Sequence, residues 1–264
     1  MNKVLIRGLT VSACHGVRDF EKINPQPFVF DADIYYDFFG AYLSDNLSDT
    51  INYSEACNKI VEVTTGNSFD LIEKLAYECA YAVMENSNAN KISLTVYKPN
   101  APVKHKFDTV GVSIEVERTV SYLSLGSSMG DKKKYLDTAI EKLNTYPQIS
   151  VKTVSDYIET QPYGNVAKNT FLNCAVEIET LYSARQLLGI IHKIEAECDR
   201  TRLVHWEDRT LDIDIIFFGK QIMVEDDLII PHADYHRRDF VLTPLRQIAP
   251  DFICPLLKKP VKDI

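Results

Sequence analysis

The 264-residue chain is short of several things, and each shortage narrows what it can be. No apolar run approaches 18 residues and Arg7 interrupts the apolar start, so neither a membrane-spanning helix nor a secretory signal is expected. Positive charge is not in excess: 29 Lys and Arg stand against 37 Asp and Glu, giving −8, with −5 over residues 1–120 and −3 over 121–264. A nucleic-acid or anionic-membrane partner would need a basic face, so neither is expected, and any anionic substrate must be held by a local basic cluster. The six cysteines, at 14, 57, 79, 174, 198 and 254, form no C-x-x-C pair and no regular spacing. They read as buried free thiols of a cytoplasmic protein, not as a disulfide frame or zinc knuckle. No Gly-x-x-x-x-Gly-Lys-Ser/Thr occurs, so a bound ATP would not sit on a P-loop. Repeats, low-complexity tracts and Gly/Pro/Ser linkers are missing too, which places two abutting domains, 1–119 and 120–264.

Hydrophobic periodicity predicts an α+β chain. In the first part, residues 28–37 and 110–117 alternate with period two, 91–96 is a further strand, and 54–63 and 70–85 carry helical spacing. The order is strand, strand, helix, helix, strand, strand. In the second part, strands over 122–125, 149–157 and 171–178 and helices over 133–143 and 184–198 precede a last strand, a βαββαβ order of the ferredoxin-like kind.

That last strand, Arg209-Thr210-Leu211-Asp212-Ile213-Asp214-Ile215-Ile216-Phe217-Phe218-Gly219, is expected to be apolar on one face and to carry two carboxylates on the other. Residues i and i+2 of a strand share a face at a rise of roughly 6.6 Å, so Asp212 and Asp214 can lean together over hard cations. Arg200, Arg202 and Arg209, with the lone Trp206 among them, lie just ahead. Acids that hold a metal beside guanidinium forks are what a polyphosphate needs. An isolated D-x-D is otherwise the solvent face of a half-buried strand.

Five features of residues 121–260 resemble 6-hydroxymethyl-7,8-dihydropterin pyrophosphokinases, which move a diphosphate from ATP to a pterin alcohol. These are Leu125-Gly126-Ser127, Phe171-Leu172-Asn173, the arginine loop, Leu211-Asp212-Ile213-Asp214, and Pro231-His232 with Arg238 and Phe240. The resemblance implies two Mg²⁺ on Asp212 and Asp214, and Arg200 and Arg209 on the charge that develops as AMP leaves. It also implies ATP contacts from Glu195, Arg202, His232 and Arg238. A pterin slot would be lined by Thr160, Tyr163, Phe171, Asn173, Trp206 and Phe240. The chain departs from the family where Gly-Ser-Asn is Gly126-Ser127-Ser128, where Asp199 and Glu207-Asp208 replace glycine and Gly-Pro, and where the loop before Trp206 is one residue shorter.

Residues 1–118 resemble dihydroneopterin aldolases through His15-Gly16-Val17 with Glu21, Ile51-Asn52-Tyr53-Ser54-Glu55, Leu71-Ile72-Glu73-Lys74-Leu75-Ala76, and Val96-Tyr97-Lys98-Pro99 followed by Asp108-Thr109-Val110-Gly111-Val112. Such enzymes release glycolaldehyde from 7,8-dihydroneopterin and leave the alcohol that the kinase consumes. The resemblance implies a T-fold, an antiparallel four-stranded sheet with two helices. It implies a homo-oligomer too, a ring of four or a stacked pair of rings, with pockets between subunits. No cofactor is expected there, because the C=N bond of the dihydropterin ring can accept the electrons of a retro-aldol step. Glu73, with Ile72, would hold the ring; Lys98 would be the acid/base; Glu21 and Tyr53 would serve the side chain and its proton.

Each residue has a plainer reading alone. Asp70 and Glu73 resemble a capping box with Glu73 at N3, Lys98 a solvated strand end, His15 and His105 structural histidines, and Tyr53 a rim tyrosine. Two rival readings remain. One is a cyclohydrolase-like zinc site from Cys14, His15 and His105, and the other is a pterin-binding oligomerisation module without chemistry of its own.

Overall fold

Alternation of apolar and polar side chains builds the first sheet of the computed structural model, which describes residues 2–161, 169–198 and 209–264. Strands β1 (Asn2–Ala13), β2 (Gln26–Tyr36), β3 (Lys91–Lys98) and β4 (Val110–Glu117) lie in that order, each antiparallel to its neighbour. One face buries Phe28, Phe30, Ala32 and Ile34 of β2 beside Ile92, Leu94 and Val96 of β3. Helices α2 (Tyr53–Thr65) and α3 (Ile72–Glu85) cover it, α3 with Leu75, Ala76, Cys79, Ala80 and Val83 at helical spacing. Asn52 starts α2 by accepting from the backbone N–H of Ser54 and Glu55.

The buried series 92, 94, 96 continues with period two to Lys98, which is therefore 7 % exposed and no solvated strand end. The capping box at Asp70 and Glu73 does not form either. Leu71 is the N-cap with no side-chain bond, and Asp70 pairs with Lys22 at 2.7 Å, so Glu73 is left free of a capping role. A short helix α1 (Phe39–Ser44), six residues long with none buried, gives no periodic signal strong enough to read in advance.

Contacts divide the chain into Met1–Arg118 and Thr119–Ile264. In the second unit, β5 (Thr119–Ser127), α4 (Lys132–Leu143), β6 (Ile149–Val154), β7 (Ile158–Thr160), β8 (Phe171–Thr180), α5 (Ala184–Glu197) and β9 (Asp212–Phe218) form a sheet of order β6-β8-β5-β9, with β7 also on β8. The strand expected over 149–157 is thus interrupted. Its register shifts after Val151, and at Ser155 the side-chain oxygen takes the Ala175 N–H at 2.9 Å, replacing a ladder bond. A hairpin of β10 (Met223–Glu225) and β11 (Leu228–Ile230), a cis Ile230–Pro231 bond and helix α6 (Asp239–Ile248) follow.

This sheet is covered on both faces. Leu123, Leu125, Val176, Ile213 and Ile215 pack under α4 and α5, while Tyr122, Ala175, Ile216 and Phe217 pack under α6. The expectation that β9 is apolar on one face only therefore fails for its second half, because α6 supplies a second layer. Its first half keeps the expected alternation, with Ile213 buried between half-exposed Asp212 and Asp214. The cysteine reading also needs amendment. All six thiols are free, but Cys14 and Cys57 are partly exposed. Among the described residues no helix is long and apolar enough to cross a membrane.

Candidate active sites

In the first unit the chain between β1 and β2 turns inward. A short 3-10 helix, Asp19–Lys22, carries Glu21 to 3 % exposure. Lys98 Nζ donates to Glu21 Oε1 at 2.6 Å and to the His15 carbonyl at 3.2 Å. Arg18 N donates to Glu21 Oε2 at 3.1 Å. Burial alone would raise the Glu21 carboxyl, but the Lys98 ammonium and the Arg18 N–H outweigh it and hold it below the usual range. The pair is therefore a carboxylate beside an ammonium.

Gly16 makes the approach possible. Its φ is +146°, and a Cβ there would stand 2.5 Å from the Glu21 carboxyl. His15 is structural: Phe69 N donates to its Nδ1 at 3.0 Å and its Nε2 lies 2.8 Å from the Thr64 carbonyl, so the ring is neutral with the proton on Nε2. Burial lowers its pKa further. His105 is exposed in the loop before β4, and the described residues contain no cluster of three metal-ligating side chains.

Above the pair lies an open cleft of about 280 Å³, lined by Val17, Arg18, Glu21, Asp70, Leu71, Ile72, Glu73, Lys98 and Pro102. Glu73, Ile72, Glu21 and Lys98 thus meet around one space. Tyr53 does not line it and stands 66 % exposed at the start of α2. Arg18 and Pro102, joined by an Arg18 Nη2 to carbonyl bond of 3.2 Å, also line it, and no motif in the sequence marks them.

In the second unit the face under α6 carries Asp212 and Asp214 on β9, Asn173 on β8 and Gly126 on β5 towards one end of the sheet. The register pairs Gly126 with both Asp212 and Asn173. Asn173, 3 % exposed, donates from Nδ2 to Thr160 Oγ1 at 2.8 Å, and Phe171 pairs with Thr160 across β7 and β8. A Cβ on Gly126 would meet Asn173 Oδ1 at 2.9 Å, so the close packing of the carboxamide requires glycine.

Arg209 Nη1 donates to Asp212 Oδ2 at 2.5 Å, and His232 Nε2 lies 3.9 Å from Asp214 Oδ2. His232 is placed by its N–H on the Ile216 carbonyl at 3.1 Å. Burial and the like charge of Asp212 push the Asp214 carboxyl up, against His232, Arg238 and Arg209. Two carboxyl groups on one strand face suit a divalent cation, whose charge relieves their repulsion.

Glu195 is 2 % exposed, and its Oε1 takes the N–H of Ile213, between the two acids, at 2.9 Å. Its carboxylate thus flanks β9, the last strand in the sheet order. Arg238 lies with its guanidinium 5.9 Å from the Phe240 ring and 3.3 Å from Asp234 Oδ2. Tyr163, Arg200, Arg202 and Trp206 fall outside the described residues.

Comparison with known proteins agrees with this division. Residues 4–115 match the dihydroneopterin aldolase family model and residues 122–250 the 7,8-dihydro-6-hydroxymethylpterin-pyrophosphokinase model. The folic acid synthesis protein FOL1 of Dictyostelium discoideum is 28 % identical over 97 % of this chain and 43 % of its own. The 2-amino-4-hydroxy-6-hydroxymethyldihydropteridine pyrophosphokinase of Bacillus subtilis is 40 % identical over 49 % of this chain and 77 % of its own. The crystal structure of E. coli dihydroneopterin aldolase with neopterin is 31 % identical over 44 % of this chain and 98 % of its own, with a TM-score of 0.41. The chain spans 37 to 43 % of the length of the first curated relatives it matches. Identity of 40 % across 77 % of a pyrophosphokinase means that the chain belongs to the hydroxymethyldihydropterin pyrophosphokinase family through its second unit, while its first unit matches the dihydroneopterin aldolase family model.

Proposed function

We propose that this chain is a bifunctional enzyme of folate biosynthesis. An aldolase domain, 1–119, releases glycolaldehyde from 7,8-dihydroneopterin. A kinase domain, 120–264, then transfers diphosphate from ATP to the resulting 6-hydroxymethyl-7,8-dihydropterin and leaves AMP. The observation that carries the reading is that families of consecutive reactions share one chain, each with its own set of chemically suited side chains.

For the aldolase, Glu73 holds the amino-pyrimidinone edge of the ring beside Ile72. Lys98 moves the proton, and Glu21 holds its Nζ in place until substrate arrives. The ring's own C=N bond accepts the electrons, so this step needs no cofactor. Tyr53, far exposed and off the cleft of its own subunit, fits a role in a neighbour's pocket, as in a T-fold ring.

For the kinase, whose strand order suits a ferredoxin-like domain, Asn173 reads the pterin edge while Thr160 orients it and Phe171 and Phe240 flank the ring. Asp212 and Asp214 would hold two Mg²⁺, whose charge offsets that of the phosphates. Arg209 and, by family resemblance, Arg200 stabilise the charge on the transferred group. His232 and Arg238 hold the triphosphate; by the same resemblance Arg202 would join them, and Tyr163 and Trp206 would serve the pterin. Glu195 acts on the strand's backbone, fixing Ile213 so that both acids keep their facing.

Single substitutions separate the two sites. Asp212→Ala should abolish AMP formation and leave glycolaldehyde release intact, and Lys98→Ala should do the opposite. Equal loss of both activities in either folded variant would refute two independent sites.

A further inference from the structure

We infer that Ser128 is a positioning residue for the phosphoryl-transfer step, holding Arg209 so that its guanidinium reaches Asp212. The inference rests on the kinase reading above. Beyond the last ladder pair, Gly126 with Asp212, strands β5 and β9 part. They are rejoined by one residue pair. Arg209 N donates to Ser128 Oγ at 2.8 Å, and Ser128 N donates to the Arg209 carbonyl at 2.9 Å. Ser128 Oγ also lies 3.4 Å from that carbonyl, and the residue is 2 % exposed.

Between these two points the β5 side has one residue, Ser127, and the β9 side has two, Thr210 and Leu211. Two residues facing one is the count of a β-bulge, and a bulge bends its strand and re-aims the side chains beside it. Leu211 is fully buried and anchors the bulge in the core under α4 and α5. Arg209 is thereby turned back along its own strand to meet Asp212 three residues on. An extended strand would put residues i and i+3 on opposite faces, some 10 Å apart, and no such contact could form. The hydroxyl of Ser128 is the side-chain atom that closes the bulge. It thus sets where the Arg209 charge stands relative to the acids, without touching substrate itself.

The test is a double-mutant cycle with a second, metal-free readout. Ser128→Ala removes one oxygen and leaves the Ser128 N–H bond to Arg209 in place. In wild type it should lower kcat for AMP formation about tenfold while the pterin KM stays within twofold. In an Arg209→Ala background the same change should cost less than twofold, since the group it positions is gone. In metal-free protein, Ser128→Ala should reduce hydrogen-exchange protection of the Arg209 amide at least tenfold. Should that variant fail to fold, Ser128→Cys, nearly isosteric with a weak acceptor, is measured in the same cycle. Equal losses in both backgrounds, an unchanged kcat, or unchanged amide protection would each overturn the assignment. Failure of the wild-type protein to form AMP would instead overturn the kinase reading.

Discussion

At the scale of single residues, Lys98 and Glu21 form the centre of the first site. Both are almost wholly buried, so neither tolerates losing the other. Breaking such a pair by truncating one member costs about 3–5 kcal/mol, because a charge is left buried and alone. Lys98→Ala should therefore lower the stability of the first unit by about that much. It should also cut aldol cleavage by roughly 10²-fold or more, the range for losing a positioned acid/base, while pterin affinity stays nearly unchanged. Trapping of a covalent substrate adduct at Lys98 by borohydride would replace this mechanism with a Schiff base. The pair has a pH signature of definite sign. Glu21 is held below its ordinary range, so its contribution to stability is present above about pH 4.3 and is lost as pH falls through its depressed folded value. Thermal melts from pH 7 to pH 3 should show a steeper acid loss for wild type than for Glu21→Gln. Superimposable pH profiles would refute the depressed carboxyl.

Elements decide which of these residues meet. The periodic runs made β2, β3, β4, α2 and α3 legible, because burial on one face writes itself into the sequence. Asp212 and Asp214 were legible for the same reason, two steps of a strand apart. Periodicity could not place Lys98, whose flanking Pro99 reads as a strand end although the buried face of β3 runs on to include it. Nor could it reveal that Leu71 would displace Asp70 from the cap of α3, or that α6 would cover the outer face of β9. Those outcomes depend on long-range packing that no local window contains. The Ser128 bond to Arg209 spans 81 residues and was equally hidden. Backbone approach gives an element-scale test. Gly126 on β5 leaves room for the Asn173 carboxamide on β8, with a Cβ there only 2.9 Å from Oδ1. Gly126→Ala should push Asn173 out of place and lower kcat/KM for the pterin in the kinase reaction by about tenfold or more, since small misplacements of a positioning group are costly. Glycolaldehyde release should not change. An unaltered kcat/KM would remove Asn173 as the reader of the ring.

On the scale of the whole molecule, the placement of Tyr53 predicts dependence on assembly. The Glu21, Lys98 and Glu73 cleft lacks Tyr53 within one chain, and in the proposed ring a second subunit would bring it. Tyr53→Phe and Glu73→Gln should each be weakly active, yet partly recover aldolase activity when mixed and reassembled, as some pockets regain both intact side chains. A fully active monomer in sedimentation would leave Tyr53 an ordinary surface residue. Mixing Asp212→Ala with Arg209→Ala should restore nothing, because both residues serve one site in one unit. The most direct test of the central claim is one assay of the purified chain with 7,8-dihydroneopterin, ATP and Mg²⁺, followed by product masses. Glycolaldehyde, AMP and the diphosphate ester of 6-hydroxymethyl-7,8-dihydropterin should all form from a single polypeptide. Release of ADP in place of AMP, or consumption of added 6-hydroxymethyl-7,8-dihydropterin without any glycolaldehyde from dihydroneopterin, would contradict it.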